Sequence, residues 1–312
     1  MATGDTNNSK VDALDNGDAG DEILATEDCN ISEVTATGVG DAGDALGQPN
    51  FRPNCRVAVM PVERNSAYYN MFHKRRGRAV IFNHEHFDIP SLKPRNGTNV
   101  DCGKLKHVLV DFGFEVTAHS NLTTKDIIRI VKQVAEEDHS ECDCFLMAVL
   151  SHGEMGFIYS RDTPYKPESL WKPFTADKCP TLAGKPKLFF FQACQGDKLD
   201  GGITLRSRTE VDGDGMGYKI PIHADFLIAY STIPGFYSWR NTTNGSWFIQ
   251  ALCCELEAKG TSVDILTLLT FVIQRVALDF ESNTPGNCTM HQQKQIPCVT
   301  TMLTRLLCFN KK

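Results

Sequence analysis

Residues 187–202 read KLFFFQACQGDKLDGG, an apolar run that changes abruptly to polar residues and glycines. Its leucine and phenylalanine run reads as a buried strand that ends at Gln192 and Cys194 and breaks at Gly196. The segments CDCFLMAVL (142–150) and ADFLIAYST (224–232) are equally apolar. Strands buried on both faces are typical of parallel sheets that helices cover on both sides.

Amphipathic helices separate these apolar strands. Thr123 with Asp126 three residues later forms a capping-box pattern at the start of one helix. Two more helices are predicted over 246–258 and 262–280, begun by Ser246 and Ser262. Together with strands over 78–83, 114–119, 142–150, 185–193, 224–232 and 295–303, the pattern predicts an α/β fold of three layers. Its sheet has six mostly parallel strands, with helices on both faces.

Charge is unevenly distributed along the chain. Residues 1–44 contain eleven acidic residues and one lysine, a net charge of −10; the whole chain carries −6, so the remainder carries +4. These 44 residues have no aromatic side chain, so we expect a disordered acidic leader. No apolar run suggests a signal peptide or membrane span, which predicts a cytoplasmic protein that binds no membrane. Nothing in the sequence points to nucleic acid.

Cysteine spacing excludes several classes of protein. The chain has 12 cysteines but no CxxC pair, which argues against a disulfide framework and against a zinc site. We therefore expect mostly reduced core cysteines, no metal and no cofactor. Two reactive residues nevertheless follow apolar strands directly, His152 after 142–150 and Cys194 after 185–193.

These two residues can form a nucleophilic pair. In parallel sheets, chemistry collects beyond the carboxyl ends of the strands. A cysteine nucleophile needs a neighbouring group that carries a proton and donors for an oxyanion, and Gly153 and Gly196 allow the sharp turns that would aim backbone N–H groups. A chance placement of a cysteine and a histidine is the bland alternative.

Further motifs resemble those of one protease family. QACQG at 192–196, with a histidine 42 residues upstream, fits the active-site signature of caspases. The resemblance runs from about Met60 to Phe309, and it is carried by FNHEHFD (82–88), GTNVD (97–101), LSHGE (150–154), FQACQGD (191–197), YSWRN (237–241), GSWFIQALC (245–253) and KQIPC (294–298). It is closest to the effector caspases, particularly those of insects, and it implies the three-layer caspase fold.

The resemblance implies specific roles for these residues. Caspases cleave proteins after aspartate, and Cys194 would be the nucleophile, His152 the proton carrier, and the N–H groups of Gly153 and Cys194 the oxyanion donors. The family orients its histidine with a backbone carbonyl, here that of Lys93. The aspartate pocket would comprise Arg95, Gln192 and Arg240. Trp239 and Trp247 would line neighbouring subsites, and Asn241 would contact an acidic group three positions before the cleaved aspartate, giving an Asp-x-x-Asp preference.

Caspases are also made as zymogens that are cut at their own aspartates. The linker 206–217 contains TEVD, ending at Asp212, which would divide a large catalytic subunit (45–212) from a small one (213–312); Asp214 is a competing site. The leader, as prodomain 1–44, would be removed after Asp44, with Asp21 and Asp28 as alternatives. The closing strand would pair with its copy, giving a homodimer of large-plus-small units.

The expected partners are protein substrates, an upstream initiator caspase and inhibitor-of-apoptosis-type proteins. The basic run HKRRGR (73–78) reads as a substrate-docking patch, a localisation signal or a solvated face. Two rival functions are a catalytically silent caspase-like regulator and a protease of different specificity. A silent regulator is expected to have lost the histidine, the cysteine or the pocket arginines. A protease of different specificity is expected to have an acidic or neutral pocket.

Overall fold

The structure is a computed structural model that describes residues 58–201 and 221–312. Several expectations concern residues outside this range. They are the leader 1–44 with Asp21, Asp28 and Asp44, the linker 206–217 with Asp212 and Asp214, and so the two subunit boundaries.

The described residues form one large sheet and two small ones. The large sheet comprises β1 (Arg78–Asn83), β2 (Glu115–Ser120), β3 (Phe145–Leu150), β7 (Lys187–Gln192), β8 (Phe226–Tyr230) and β11 (Cys298–Thr301). One small sheet has three strands, β4 (Gly153–Glu154), β5 (Phe157–Tyr159) and β6 (Pro164–Tyr165). The other is a two-stranded ribbon of β9 (Arg240–Asn241) and β10 (Gly245–Ser246).

The large sheet has the predicted architecture. Its strand order is β11-β8-β7-β3-β1-β2, and every pairing is parallel except that of β11 with β8. Strands β3 and β7 are direct neighbours, with Leu150 opposite Gln192, so both strands end at the same edge. Each is buried along its whole length, as the apolar runs predict.

Five α-helices accompany these strands in the described part of the chain: α1 (Thr98–Asp111), α2 (Thr124–Glu136), α3 (Glu168–Trp171), α4 (Trp247–Lys259) and α5 (Ile265–Asp279). Short 3-10 turns lie at Lys172–Phe174 and Pro180–Leu182. The Thr123 side chain accepts a hydrogen bond from the Asp126 N–H, so the predicted cap of α2 is present. The predicted start of the last helix at Ser262 is wrong, because Asp264 caps α5 by accepting from two backbone N–H groups.

Helices on both faces give the sheet two hydrophobic cores. On one face, α1, α4 and α5 contribute buried side chains such as Leu105, Leu252 and Leu268. On the other face, α2 and α3 contribute Ile127 and Leu170. The six-stranded, mostly parallel, three-layer α/β fold is therefore confirmed. No helix among the described residues is long and apolar enough to cross a bilayer.

Candidate active site

Cys194 lies two residues beyond the end of β7, at the edge where β3 also ends. Its sulfur forms two hydrogen bonds with the backbone of Ser238, one as acceptor and one as donor. The Ser238 N–H donates to Sγ at 3.4 Å, and the thiol donates to the Ser238 carbonyl oxygen at 3.7 Å. The preceding residue is fixed too, because Ala193 exchanges two hydrogen bonds with the Ser231 hydroxyl. The cysteine thus has a defined position between two loops.

His152 lies two residues beyond the end of β3, on the neighbouring strand. Its Nε2 lies 2.8 Å from the carbonyl oxygen of Lys93. A carbonyl can only accept, so Nε2 carries the proton in the neutral ring and Nδ1 keeps a free lone pair. The imidazole also packs against Phe87, with 4.9 Å between ring centroids. The predicted contact between this histidine and a backbone carbonyl is present.

Burial favours the uncharged form of both groups. Burial, together with the positive charges of Arg95 and Arg240, lowers the pKa of His152 to about 4, against the opposing effect of the hydrogen bond to Lys93. Burial also raises the pKa of the Cys194 thiol above its ordinary value, although Ser238 and the two arginines oppose that rise. Both shifts favour a neutral thiol at Cys194 and a neutral imidazole at His152 at neutral pH.

Close packing requires glycine at the two turns. A Cβ at Gly153 would lie 2.5 Å from the carbonyl oxygen of Cys194 and 3.0 Å from Ala193 Cβ. A Cβ at Gly196 would lie 2.4 Å from the backbone of Gly235. The chain after β3 and the chain after β7 thus approach each other directly, which a larger residue would prevent.

Arg95 is a buried arginine, 1% exposed. Its Nη1 donates to the His84 carbonyl oxygen at 3.0 Å and to Thr98 Oγ1 at 2.7 Å. Both partners are neutral, so these bonds hold the guanidinium in place without neutralising it. Burial, followed by repulsion from Arg240, lowers its pKa to about 9, which still leaves it charged at neutral pH.

Arg240 and Gln192 approach Arg95 and Cys194 from other segments of the chain. Arg240, in β9, donates from Nε to the Asn96 carbonyl oxygen at 2.9 Å, and burial lowers its pKa. Gln192 donates from Nε2 to the Ser238 hydroxyl at 2.8 Å and keeps a second amide N–H. The positive charge of Arg240 lowers the pKa values of both Arg95 and Cys194, so these three side chains lie close together.

The two predicted tryptophans form one wall. Trp239 and Trp247 stack with 5.6 Å between centroids and an interplanar angle of 17°. Phe280 continues the stack on Trp247, 5.5 Å away. The buried indole N–H of Trp239 has no hydrogen-bond partner among the described residues. This aromatic face lies beside the ribbon that carries Arg240.

Asn241 has a local role in the ribbon. Its Oδ1 accepts hydrogen bonds from the N–H groups of Thr243 and Asn244 at 2.8 and 2.9 Å. The side chain therefore shapes the turn between β9 and β10, and its amide N–H₂ is the part that remains for a ligand.

Sequence reasoning missed the residues that hold this site together. The Ser238 backbone binds the cysteine sulfur, Thr98 accepts from Arg95, and Gln295 Oε1 accepts from the backbone N–H of Trp239 at 2.6 Å. Asp101 is a fourth such residue, buried beside the two arginines. Each of these four residues lies in one of the motifs quoted above, so the motifs could have drawn attention to them. A motif does not show, however, which partner each side chain contacts.

Most of the basic run 73–78 takes part in ion pairs. Arg76 is 1% exposed and pairs with the buried Asp143 at 2.9 Å. His73 contacts the same carboxylate, and Arg75 and Arg78 pair with the glutamates at 115 and 137. This arrangement disfavours a continuous cationic docking patch and shows that the run is partly built into the fold.

Comparison with known proteins gives the family. The Caspase domain model matches residues 76–308. Caspase-1 of Spodoptera frugiperda is 66% identical over 269 residues, covering 86% of this chain and 90% of the relative. Caspase drICE of Drosophila melanogaster is 64% identical over 265 residues, covering 84% and 78%.

Solved structures agree with the sequence matches. A crystal structure of Spodoptera frugiperda caspase-1 matches with a TM-score of 0.78 at 66% identity, covering 82% of this chain and 98% of that one. A structure of pro-sf-caspase-1 matches with a TM-score of 0.66 at 67% identity, covering 82% and 99%. The chain belongs to the caspase family of cysteine peptidases. Within that family it is an effector caspase, a cysteine endopeptidase of apoptosis, as the motifs predict.

Proposed function

We propose that Cys194 and His152 carry out peptide hydrolysis as an initially neutral pair. Nδ1 of His152 takes the thiol proton while Sγ attacks the carbonyl carbon of the substrate aspartate. The imidazolium then gives that proton to the leaving amine, and the C–N bond breaks to leave a thioester. Water activated by the neutral imidazole hydrolyses the thioester and regenerates the thiol. The support is the hydrogen bond from His152 to Lys93, which leaves Nδ1 as the basic nitrogen.

The N–H groups of Gly153 and Cys194 would hold the oxyanion. Two backbone donors aimed at one point stabilise the charge that develops on the carbonyl oxygen, without reorganising at the moment of reaction. The close approach of the backbones at 153 and 194 supports this role.

Selectivity for aspartate would come from Arg95, Arg240 and Gln192. Arg95 is the observation that carries the proposal, because it is buried and charged and its side-chain bonds go to neutral oxygens. The nearby Asp101 carboxylate is hydrogen-bonded to Ser246, so a substrate carboxylate would be the group that binds the Arg95 guanidinium directly, through charge-assisted hydrogen bonds. Asparagine has the same shape but no charge, so the pocket should reject it strongly.

Neighbouring subsites would extend the preference to Asp-x-x-Asp. The stacked Trp239 and Trp247 offer an apolar wall for the residues preceding the cleaved aspartate. The Asn241 amide, whose oxygen is already used in the turn, would donate to the acidic group three positions earlier.

Activation would follow cleavage at Asp212 in the linker, with Asp214 competing, and removal of the leader after Asp44. This would leave a large subunit 45–212 and a small subunit 213–312. A pro form is known for the Spodoptera frugiperda relative, which supports a zymogen here. Because Arg95 and Arg240 fall in different subunits, the two pieces must stay together to keep the aspartate pocket.

Membership of the caspase family implies protein substrates and a dimer of large-plus-small units. In this protein the edge strand β11 would pair with its copy across a two-fold axis. An upstream initiator caspase would make the first cut, inhibitor-of-apoptosis-type proteins would restrain the active dimer, and the site of action would be the cytoplasm.

Paired peptides test this function. Processed protein should cleave Asp-x-x-Asp peptides and leave matched Asp-x-x-Asn peptides intact. Cys194→Ala, expressed alone, should remain a single uncut chain, while added active protein should still cut it at Asp212. Equal cleavage of both peptides would overturn the aspartate pocket, and self-processing by Cys194→Ala would overturn the nucleophile.

A further inference from the structure

Asp101 is a buried carboxylate whose hydrogen bonds all reach across to the ribbon. It lies in the first turn of α1 and is 1% exposed. The Ser246 N–H donates to Oδ1 and Oδ2 at 2.8 and 3.0 Å, and the Ser246 hydroxyl donates to Oδ2 at 2.5 Å. Gly245 lets this approach happen, because a Cβ there would overlap Oδ1.

The ribbon connects this contact to the aspartate pocket. Ser246 is the residue opposite Arg240 in the antiparallel pair of β9 and β10. Whatever fixes Ser246 therefore fixes the backbone from which the Arg240 side chain extends. Ser246 also precedes α4 as its N-cap, but its hydroxyl serves Asp101 instead of the helix.

A second contact secures the same ribbon from the start of α1. A Cβ at Gly97 would lie 2.7 Å from the Thr242 carbonyl oxygen and 2.8 Å from that of Asn241. Arg240 itself donates to the Asn96 carbonyl oxygen. The N-terminal end of α1 and the ribbon thus form one interface, to which Asp101 contributes a buried carboxylate.

The surroundings of Asp101 favour a functional reason for it. Burial raises the pKa of its carboxyl to about 6, against the opposing bonds from Ser246 and the charges of Arg95 and Arg240. The negative charge of Asp101 also raises the pKa values of two neighbouring thiols, Cys102 of α1 and Cys253 of α4. At neutral pH the group is ionised, so keeping it buried costs folding free energy.

We propose that Asp101 is a positioning residue for substrate aspartate. By gripping Ser246 it holds the ribbon in register with α1, and so places the Arg240 guanidinium opposite Arg95. The role rests on the proposed aspartate pocket. It assigns to the large subunit the control of an arginine that the small subunit carries.

Three variants of the full chain, processed in trans by a trace of tagged wild-type protein that is then removed, test the proposal. Asp101→Ala loses all three bonds, and we expect its KM for an Asp-x-x-Asp peptide to rise about tenfold or more, the loss expected when one charge-assisted hydrogen bond is weakened. Its kcat should change less than about threefold, because Cys194 and His152 lie on other elements. Asp101→Asn should restore KM to within about threefold, since the amide can accept from the Ser246 N–H and donate to its hydroxyl.

Ser246→Ala keeps the two backbone bonds and loses only the hydroxyl, so its KM should lie between those of wild type and Asp101→Ala. It also keeps the test usable if Asp101→Ala does not fold. Asp264→Ala is the matched control, because the Asp264 carboxylate likewise accepts three hydrogen bonds, here from the N–H groups of Leu266 and Thr267 and from the Thr267 hydroxyl at the start of α5. It should lower the melting temperature and leave KM unchanged.

The outcomes separate this proposal from the proposed function. A wild-type protein that does not prefer aspartate over asparagine overturns the pocket itself. A wild-type protein with that preference, together with an unchanged KM in Asp101→Ala and Ser246→Ala, overturns only the positioning role. The positioning role is also refuted if kcat of Asp101→Ala falls by as large a factor as its KM rises, or if KM rises as much in Asp264→Ala as in the site variants. Either result would indicate a general loss of stability.

Discussion

The contact between Gly153 and Cys194 makes Gly153→Ala a sharp test of catalytic geometry. The added Cβ would lie 2.5 Å from the Cys194 carbonyl oxygen, whereas ordinary van der Waals contact begins at 3.4 Å and real contacts rarely fall below 3.0 Å. One backbone must therefore move by about 0.5–0.9 Å. A misplacement of this size costs about 30- to 100-fold in rate, or roughly 2–2.7 kcal/mol of barrier.

The assay is kcat with an Asp-x-x-Asp peptide, normalised to the active cysteine concentration. We expect kcat to fall by that factor and KM to change little, because Arg95 and Arg240 lie in other segments of the chain. Gly103→Ala is the control, since that glycine lies in α1 with nothing within 4 Å of an added Cβ. A folded Gly153→Ala protein with kcat within about threefold of wild type would refute the reasoning.

Three further predictions concern the pocket, the thiol and stability. Arg95→Gln should reduce the preference for aspartate over asparagine, measured as the ratio of kcat/KM values, by about 10- to 100-fold, and an unchanged ratio contradicts the pocket. Because burial raises the Cys194 pKa, inactivation by iodoacetamide should rise about tenfold per pH unit between pH 6 and 8; a plateau there would indicate a preformed thiolate. Gly103→Ala should raise the free energy of unfolding by about 0.5–1 kcal/mol in a denaturant titration, and a decrease would show an unseen clash.

Much of the fold could be predicted because its main strands are apolar without interruption. The run in β7 is too apolar for a sheet with a wet face, and alternation with helices leaves a covered parallel sheet as the consistent answer. The start of α5 was predicted wrongly because Ser262 and Asp264 are both good caps two residues apart. Asp264 also forms a backbone bridge with Cys308, a long-range contact that the local sequence does not reveal.

The candidate site could be predicted as a set of residues but not as a set of contacts. The motifs contain the cysteine, the histidine and Arg240, and the family resemblance adds Arg95. They could not show that Ser238 holds the sulfur through its backbone, because any residue has that N–H and carbonyl. The link from Asp101 to Ser246 joins positions 145 residues apart in the sequence, a distance over which no local pattern operates.

The stacked tryptophans also give the protein an optical signal of its own. The chain has three tryptophans, and two of them, Trp239 and Trp247, lie parallel at 5.6 Å, close enough for their excited states to couple. The third, Trp171, packs against Phe189 and Phe191 in the other core. Near-ultraviolet circular dichroism of the unlabelled protein should therefore report on the aromatic wall, and peptide binding could be followed without a fluorogenic group.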